Sequence, residues 1–587
     1  MDAQKQENRS SSSYWRWSKQ DFFPEESFAN FASYRKALSQ TFPRLRDRIL
    51  DRSTQSRELV ELRKESVNDM KRCLSWWDLI WLCFGSVVGS GIFVITGQEA
   101  HDHAGPAIVL SYALSGLSAL LSAFCYTEFA VEIPVAGGSF SYLRIELGDF
   151  VAFLAAGNIL LEAIVGAAGL GRSWTSYFAS MIKDDPDFLR FHVKGLAEGF
   201  NLLDPMAVAV LVVANSIAMA GTKQASCLNW IGSVISAGVI VLILTIGFSH
   251  GHVSNLNPFV PYRASGVFTA AAVVYWSYTG FDMVATMAEE TKKPSRDIPI
   301  GLAGSMTVIT VIYCLMALAL TMMQKYTEID CNAAYSVAFS RIGMKWAKYV
   351  VSICALKGMA ASLLVGALGQ ARYMTQIARS HMIPPWFALV HPKTGTPIYA
   401  TLLITLLSSV VAFFSSLDVL SSVFSFSTLS IFMLVGIALL VRRYYVKGET
   451  PKSDLGKFLV CLFVIVASCV GGTAVWHSNT GGWIGYVVAV IFWFLGTLGM
   501  QLLPQRRAPQ LWGVPLVPYL PSLSIGMNIF LIGSLGSEAF WRFLICTAVM
   551  ILYYLLVGLH ATYDVAHRIG QESKVEDGKE NVDHGLS

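Results

Sequence analysis

The sequence is short of charge. Only 14% of its 587 residues are Asp, Glu, Lys or Arg while 54% are hydrophobic, a balance that excludes both an ordinary soluble domain and a disordered chain. The net charge is a modest +4, and the basic residues sit in tails and loops, so nothing points to nucleic acid. Nucleophile-and-base pairs, a Gly-rich phosphate loop before Lys-Ser/Thr, and a His/Cys metal cluster are all missing. Enzyme activity, a cofactor and a bound metal therefore have no sequence support. The ten cysteines are scattered and only Cys331 falls in a predicted outer loop, which argues against a disulfide framework. A secretory h-region is absent from the first seventy or so residues, so the first apolar run is expected to act as an uncleaved signal. The one Asn-x-Ser/Thr sequon, at Asn8, lies in a tail expected inside the cell, out of reach of glycosylation.

What the chain has instead is long apolar runs, at 79–98, 107–131, 151–171, 203–220, 228–248, 266–288, 301–323, 349–371, 398–415, 418–441, 457–475, 483–503, 518–536 and 543–561. Each is near the ~20 residues needed to cross a bilayer. The pattern predicts an all-α polytopic membrane protein of about fourteen spans. With the N-terminus inside, the cytosolic loops hold roughly twice the Lys and Arg of the outer loops, so both termini are expected in the cytosol. We divide the chain into a cytosolic segment at 1–75, a core at 76–445, further membrane helices at 446–563 and a cytosolic tail at 564–587. In the first segment Phe28, Phe31, Tyr34, Leu38 and Phe42 recur at helical spacing beside Arg35, Lys36, Arg44, Arg46 and Arg48. Two placements fit: a helix lying on the inner membrane surface, or one packed on the inner mouth of the core.

Two runs are interrupted. In the first, Gly85-Ser86-Val87-Val88-Gly89-Ser90-Gly91 concentrates residues that weaken a helix by about 1 kcal/mol per glycine. A break facing lipid would strand backbone amides, so this one must face a cavity. The sixth run has a second interruption at Tyr275-Trp276-Ser277-Tyr278-Thr279-Gly280-Phe281-Asp282. Paired breaks five runs apart point to a transporter's substrate site. Runs one to five and six to ten then form two five-helix units of opposite topology, with four helices left over.

At the first break the amides of Ser90 and Gly91 open a half-helix whose positive end suits a carboxylate, with Gly89 beside them as a further substrate-binding residue. At the second, the carbonyls of Trp276, Ser277 and Thr279 lose their helical partners and can accept an ammonium group. Close helix packing is the alternative meaning of either glycine-rich break taken alone. Glu162 lies well inside the third run, where an ionised carboxylate costs about 2.5–3.5 kcal/mol. It either meets a substrate's cationic tail or hydrogen-bonds within the bundle, with Asn158 one turn earlier on the same face. Gly366 removes bulk in the eighth run. Phe281 either closes over the substrate or packs as an ordinary aromatic contact. Glu128 reads as part of an inner gate, Glu289 and Glu290 as partners for inner-loop arginines, and Gly232 with Ser236 as a helix-packing pair.

The motifs Gly85-x-x-x-Gly89-Ser90-Gly91-Ile92-Phe93, Glu128 with the following Ile-Pro-x-Ala-Gly-Gly-Ser, Tyr278-x-Gly-Phe-Asp with the later Ala-Glu-Glu, and Arg296-Asp-Ile-Pro resemble the amino acid/polyamine/organocation superfamily, whose fold is the LeuT-type 5+5 inverted repeat. Leu161-Glu162, Arg507-Ala508-Pro509, Trp512-Gly513-Val514-Pro515 and Leu520-Pro521-Ser522 narrow the resemblance to the plant branch of the cationic amino acid transporter family. It spans about residues 70–565. Trp276-Ser277-Tyr278-Thr279-Gly280 and Gly166 to Gly171 are similar to the subgroup that takes large neutral as well as cationic amino acids.

This resemblance implies proton-driven amino acid uptake, with the carboxylate at Ser90 and Gly91, the ammonium at Val87, Trp276, Ser277 and Thr279, and Glu162 facing the side chain. The lysine that bacterial relatives use for proton coupling is replaced by Ser236, which leaves Asp282 and Glu162 as substitute proton carriers. Many relatives have tyrosine where this chain has Ala163, a change that widens the side-chain pocket. The loop from Ser180 to Asn201 has no cysteine, so no disulfide-linked accessory subunit is expected. The expected partners are an amino acid, a proton and the lipid bilayer, at the plasma membrane or, alternatively, the vacuolar membrane. A polyamine carrier and an amino acid-sensing receptor are the rival readings.

Overall fold

Helix occupies every one of the apolar runs in the computed structural model, which describes residues 18–51 and 74–568 apart from 89–90, 134–137, 184, 196, 198, 221–222, 283–286, 288–289, 393 and 479–481. Eight helical segments among the described residues are long and apolar enough to cross a membrane, and four shorter apolar helices accompany them. The architecture is all-α and polytopic, with one two-residue antiparallel strand pair among the described residues, Phe191–His192 with Leu202–Leu203, in a connecting loop.

The local chemistry explains where helices begin. Ser75 and Asp78 form a capping box ahead of Trp76–Val87. Pro294 supplies the preset first turn of Pro294–Met323. Gly148, at φ +89°, turns the chain into the long helix Asp149–Ile182 as only glycine does readily.

The helices sort into two packed groups. In one, Pro294–Met323 packs on Trp76–Val87 and on Ile108–Glu132, and Arg263–Val274 packs on Ile108–Glu132. In the other, Asp149–Ile182, Pro205–Ala220, Lys345–Arg379 and Ile398–Phe414 pack on one another. Leu417–Tyr444 touches both groups and is the most buried of the long apolar helices. Runs one and seven pair, as do six and two, and runs three and nine pair, as do four and eight. The same set of partners thus appears twice.

Lys452–Ser478 and Gly482–Gln501 pack as a pair at the periphery and turn large apolar side chains such as Phe463 and Trp483 outward, as lipid-facing helices do. An ionic network joins the core to the segment that follows them. Glu128 bonds Arg443 at 2.7 Å and the Val514 amide at 2.8 Å, Glu146 bonds Arg442 at 2.7 Å, and Glu132 accepts from the amides of Gln510 and Leu511. Arg507 also reaches Glu146 at 3.4 Å, so the Arg-Ala-Pro and Trp-Gly-Val-Pro motifs are struts.

The N-terminal segment docks on protein. Glu25 pairs with His381, Phe22 stacks on Trp386, Tyr34 donates to the Leu556 carbonyl, and Arg44 pairs with Asp564. Arg48 is buried against Asp149 at the start of the third-run helix. Of the two placements open from sequence, packing on the core holds for these residues, while Phe31 and Phe42 face away from the protein.

Candidate substrate site

Both interrupted runs are broken where the sequence predicts. Trp76–Val87 ends with Val88 donating to the Phe84 carbonyl, and helix resumes at Gly91–Glu99. Arg263–Val274 tightens into a single 3-10 turn over Tyr275–Tyr278, then Thr279 extends at ψ 152° and Gly280 takes φ +107°. The two breaks touch. A Cβ on Gly91 would lie 2.5 Å from Ser277 Cα, and one on Gly280 would lie 3.4 Å from the Ser86 carbonyl. Glycine at 91 thus serves the close approach of the two breaks, and at Gly280 it serves the positive φ.

One polar tether holds them. Tyr313, buried in Pro294–Met323, directs its hydroxyl to the Val87 carbonyl and to the Ser277 carbonyl, each at 3.0 Å. The Trp276 carbonyl accepts from the amide and the hydroxyl of Thr279. The break therefore keeps several of its carbonyls satisfied internally, as a buried backbone requires.

A cavity of about 220 Å³ opens beside the breaks. Its walls include Ser86, Val87 and Gly91 from the first break, Trp276, Thr279, Gly280 and Asp282 from the second, and Glu162 with Ala163 from Asp149–Ile182. Gly366, Gln370 and Tyr373 come from Lys345–Arg379. Among the described lining residues the only charged side chains are the carboxylates of Glu162 and Asp282. Two of the lining residues, Trp276 and Phe424, stack with centroids 4.6 Å apart. The pair is seated on bare glycines: a Cβ on Gly169 would meet Trp276 at 2.2 Å, and one on Gly166 would meet Phe424 at 2.7 Å. Phe93, in Gly91–Glu99, packs edge-on to Tyr177 and Tyr335.

The amino acid permease family model matches residues 74–499, and that for the C-terminus of AA_permease matches 512–562. A protein of Arabidopsis thaliana named cationic amino acid transporter 8, vacuolar, is 71% identical over 564 residues, which are 96% of each chain. Cationic amino acid transporter 5 of the same plant is 64% identical over 94% of this chain and 98% of its own.

The chain belongs to the plant cationic amino acid transporter family.

A more distant relative, the methylthioribose transporter of Bacillus subtilis (strain 168), is 31% identical over 75% of this chain and 95% of its own. The family is one of transporters and not of enzymes.

The transporter brings Val87, Gly91, Glu162, Trp276, Thr279, Gly366 and Asp282 to one cavity. Gly89, Ser90 and Glu289 lie outside the described residues, and Gly232 lies in the helix Lys223–Ser249. Ser277 is at the contact between the breaks, fully enclosed behind Gly91 and off the cavity wall. Phe281 is also off the wall: it stacks on Phe432 at 4.9 Å and meets Tyr126 edge-on, an ordinary aromatic contact. Ser236 is buried beside Cys354, 3.9 Å from its sulfur, and does not line the cavity. Glu128 is a structural ion-pair partner away from it. Asn158 is buried and off the wall, its carbonyl accepting from Ser427.

Sequence reading missed Tyr313, Gln370, Tyr373 and Phe424 in this transporter. For Gln370 and Tyr373 a signal exists: Ser362, Gly366, Gly369, Gln370 and Tyr373 recur at three- and four-residue intervals along one helix face. Gln370 donates to the Ala163 carbonyl at 3.3 Å, so these two wall residues are coupled.

Proposed function

We propose that the protein is a secondary-active permease that carries cationic and large neutral L-amino acids through the cavity between the two breaks, by alternating access and with a proton as coupling ion. The observation that carries this reading is the lining: backbone at two helix breaks together with Glu162 and Asp282, and no Lys or Arg among its described members. A negative, partly desolvated pocket attracts cations and rejects anionic side chains.

The substrate carboxylate faces the positive end of Gly91–Glu99, held by the amides of Ser90 and Gly91, with Gly89 leaving room for it. The ammonium faces the carbonyls of Val87 and Thr279, whereas the Trp276 carbonyl is taken up by Thr279 and Ser277 is enclosed behind Gly91, so those two shape the second break without holding the ligand. The side chain extends toward Glu162, past Ala163 and Gly366. Glu162 and Asp282 take up the coupling proton. Ser236, away from the cavity, acts only indirectly.

In this account the core is a 5+5 inverted repeat within 76–445. Four further helices within 446–563 complete about fourteen crossings, with 1–75 and 564–587 in the cytosol. The twofold recurrence of packing partners supports the repeat. In this account the open side of the cavity is the cytosolic one and the Trp276–Phe424 stack is the outer gate. Of the two membranes considered, the vacuolar one has the support of the 71% identical relative's name. The carrier works without a disulfide-linked subunit.

Uptake of labelled lysine and leucine by proteoliposomes containing only this protein, with and without an imposed proton gradient, tests the proposal. Gradient-driven accumulation of both is expected; binding without accumulation would make it a receptor. The two carboxylates in one cavity also suit a polyamine. Putrescine uptake that survives distortion of the first break would favour that second reading.

A further inference from the structure

At the end of Gly91–Glu99 remote from the break, two segments distant in sequence bring three metal-binding side chains together. We propose that His101, Asp102 and Cys331 form a site for a soft divalent cation, Zn²⁺ or Cd²⁺, whose binding fastens the closed outer side and stops transport. The His101 ring nitrogen, an Asp102 carboxylate oxygen and the Cys331 sulfur all lie within 4.8 Å of one another. Thiolate, imidazole and carboxylate together are the donor set of tetrahedral zinc, which holds its ligands about 2.0–2.3 Å away. Side-chain rotation of about 1 Å closes these donors on an ion and leaves a fourth position for water. Sequence spacing hides the set, because Cys331 comes from a loop more than two hundred residues after His101.

The backbone under the donors is fixed. His101 and Asp102 lie in the turn Ala100–Ala104 that follows Gly91–Glu99, and the His101 carbonyl accepts from the Tyr262 hydroxyl at 2.7 Å. Cys331 lies in a turn closed by Asp330, whose carboxylate accepts from the amides of Asn332 and Ala333 at 2.9 and 2.7 Å. The side chains of His101 and Asp102 are 37% and 44% exposed, so an ion in water reaches them. The carboxylates of Asp102, Asp330, Glu99 and Asp187 are near enough to act electrostatically on the Cys331 side chain, and their negative charge favours a cation there.

The regulatory consequence follows from what the two segments carry. The Asp330 carbonyl packs into the space left by Gly97, where a Cβ would lie 2.3 Å away. Phe93 meets Tyr335 of the helix Ala334–Arg341 at 5.5 Å. Opening the cavity on this side has to part Gly91–Glu99 from the 330–341 segment. An ion held by His101 and Asp102 on one and Cys331 on the other prevents that parting.

The test uses the full chain in proteoliposomes, with Zn²⁺ or Cd²⁺ on the face bearing Cys331, and an optical Cd²⁺ titration of the purified protein. Micromolar Zn²⁺ is expected to inhibit lysine uptake reversibly, with a chelator restoring it. C331S and H101Q are each expected to raise the half-inhibitory concentration about tenfold or more, with metal-free uptake unchanged. The thiolate-to-cadmium absorption of the wild-type protein should vanish in C331S. Inhibition that survives C331S, or a wild-type protein without the cadmium band, overturns the proposal. The band is read without transport, so its outcome is separate from that of the proposed function.

Discussion

Val87 and Ser277, one from each interrupted helix, point their carbonyl oxygens at a single hydroxyl, that of Tyr313, 3.0 Å from both. A continuous helix would satisfy those carbonyls within itself; here an external donor replaces the lost partner. Tyr313→Phe keeps the ring and removes the donor. At about 0.5–1.5 kcal/mol for such a bond, lysine uptake should fall several-fold, chiefly through a raised KM, with the amount of protein in the membrane unchanged. Initial-rate uptake normalised to surface-labelled protein checks this.

Gly91 and Gly280 test the contact between the breaks. A methyl at Gly91 would sit 2.5 Å from Ser277 Cα, and backbone cannot yield as a side-chain tip can. At Gly280 the methyl has room, but φ +107° opposes any L side chain. Gly91→Ala should reduce transport by about tenfold or more, since overpacking costs ~1–3 kcal/mol. Gly280→Ala should also reduce it, and uptake by both variants at matched expression is the measurement.

Glu162 faces the cavity and is the one charged residue of the run 151–171. Glu162→Gln keeps the shape and removes the charge. Losing one partner of a buried charge pair costs about 2–5 kcal/mol, so lysine and arginine uptake should drop by about thirtyfold or more while leucine uptake changes far less. Competition of unlabelled leucine against labelled lysine reads the shift directly.

The breaks were legible in the sequence because Gly, Ser and bulky aromatics crowd into stretches that should be unbroken apolar helix, and Glu162 because a lone carboxylate in a span is expensive. The faces of Ser277 and Phe281 were not legible. Beyond Tyr278 the helical period stops, and the turn at Gly280 sends Phe281 toward Phe432 instead of the cavity. Tyr313 and Phe424 were out of reach for another reason: each acquires its role from packing against a helix remote in sequence. Gln370 and Tyr373 shared a face with Gly366, and the interval pattern was available but not used.

The N-terminal segment carries a prediction about stability. Arg48 and Arg144 share the buried Asp149 carboxylate, Arg144 at 3.0 Å. Arg48→Ala leaves that carboxylate short of a partner, a change that costs about 3–5 kcal/mol when the loss is complete. Its midpoint of thermal unfolding in detergent should fall, and Arg48→Lys should recover part of the loss. An unchanged midpoint would mean that the segment rests on the core without bracing it.

The most direct test of the central claim is a density map of the purified full chain with lysine bound. The account predicts lysine between residues 85–91 and 276–282, its carboxylate at the Gly91 end and its ammonium tail at Glu162. Lysine bound elsewhere, or unbroken helices through both stretches with no ligand between them, would contradict it.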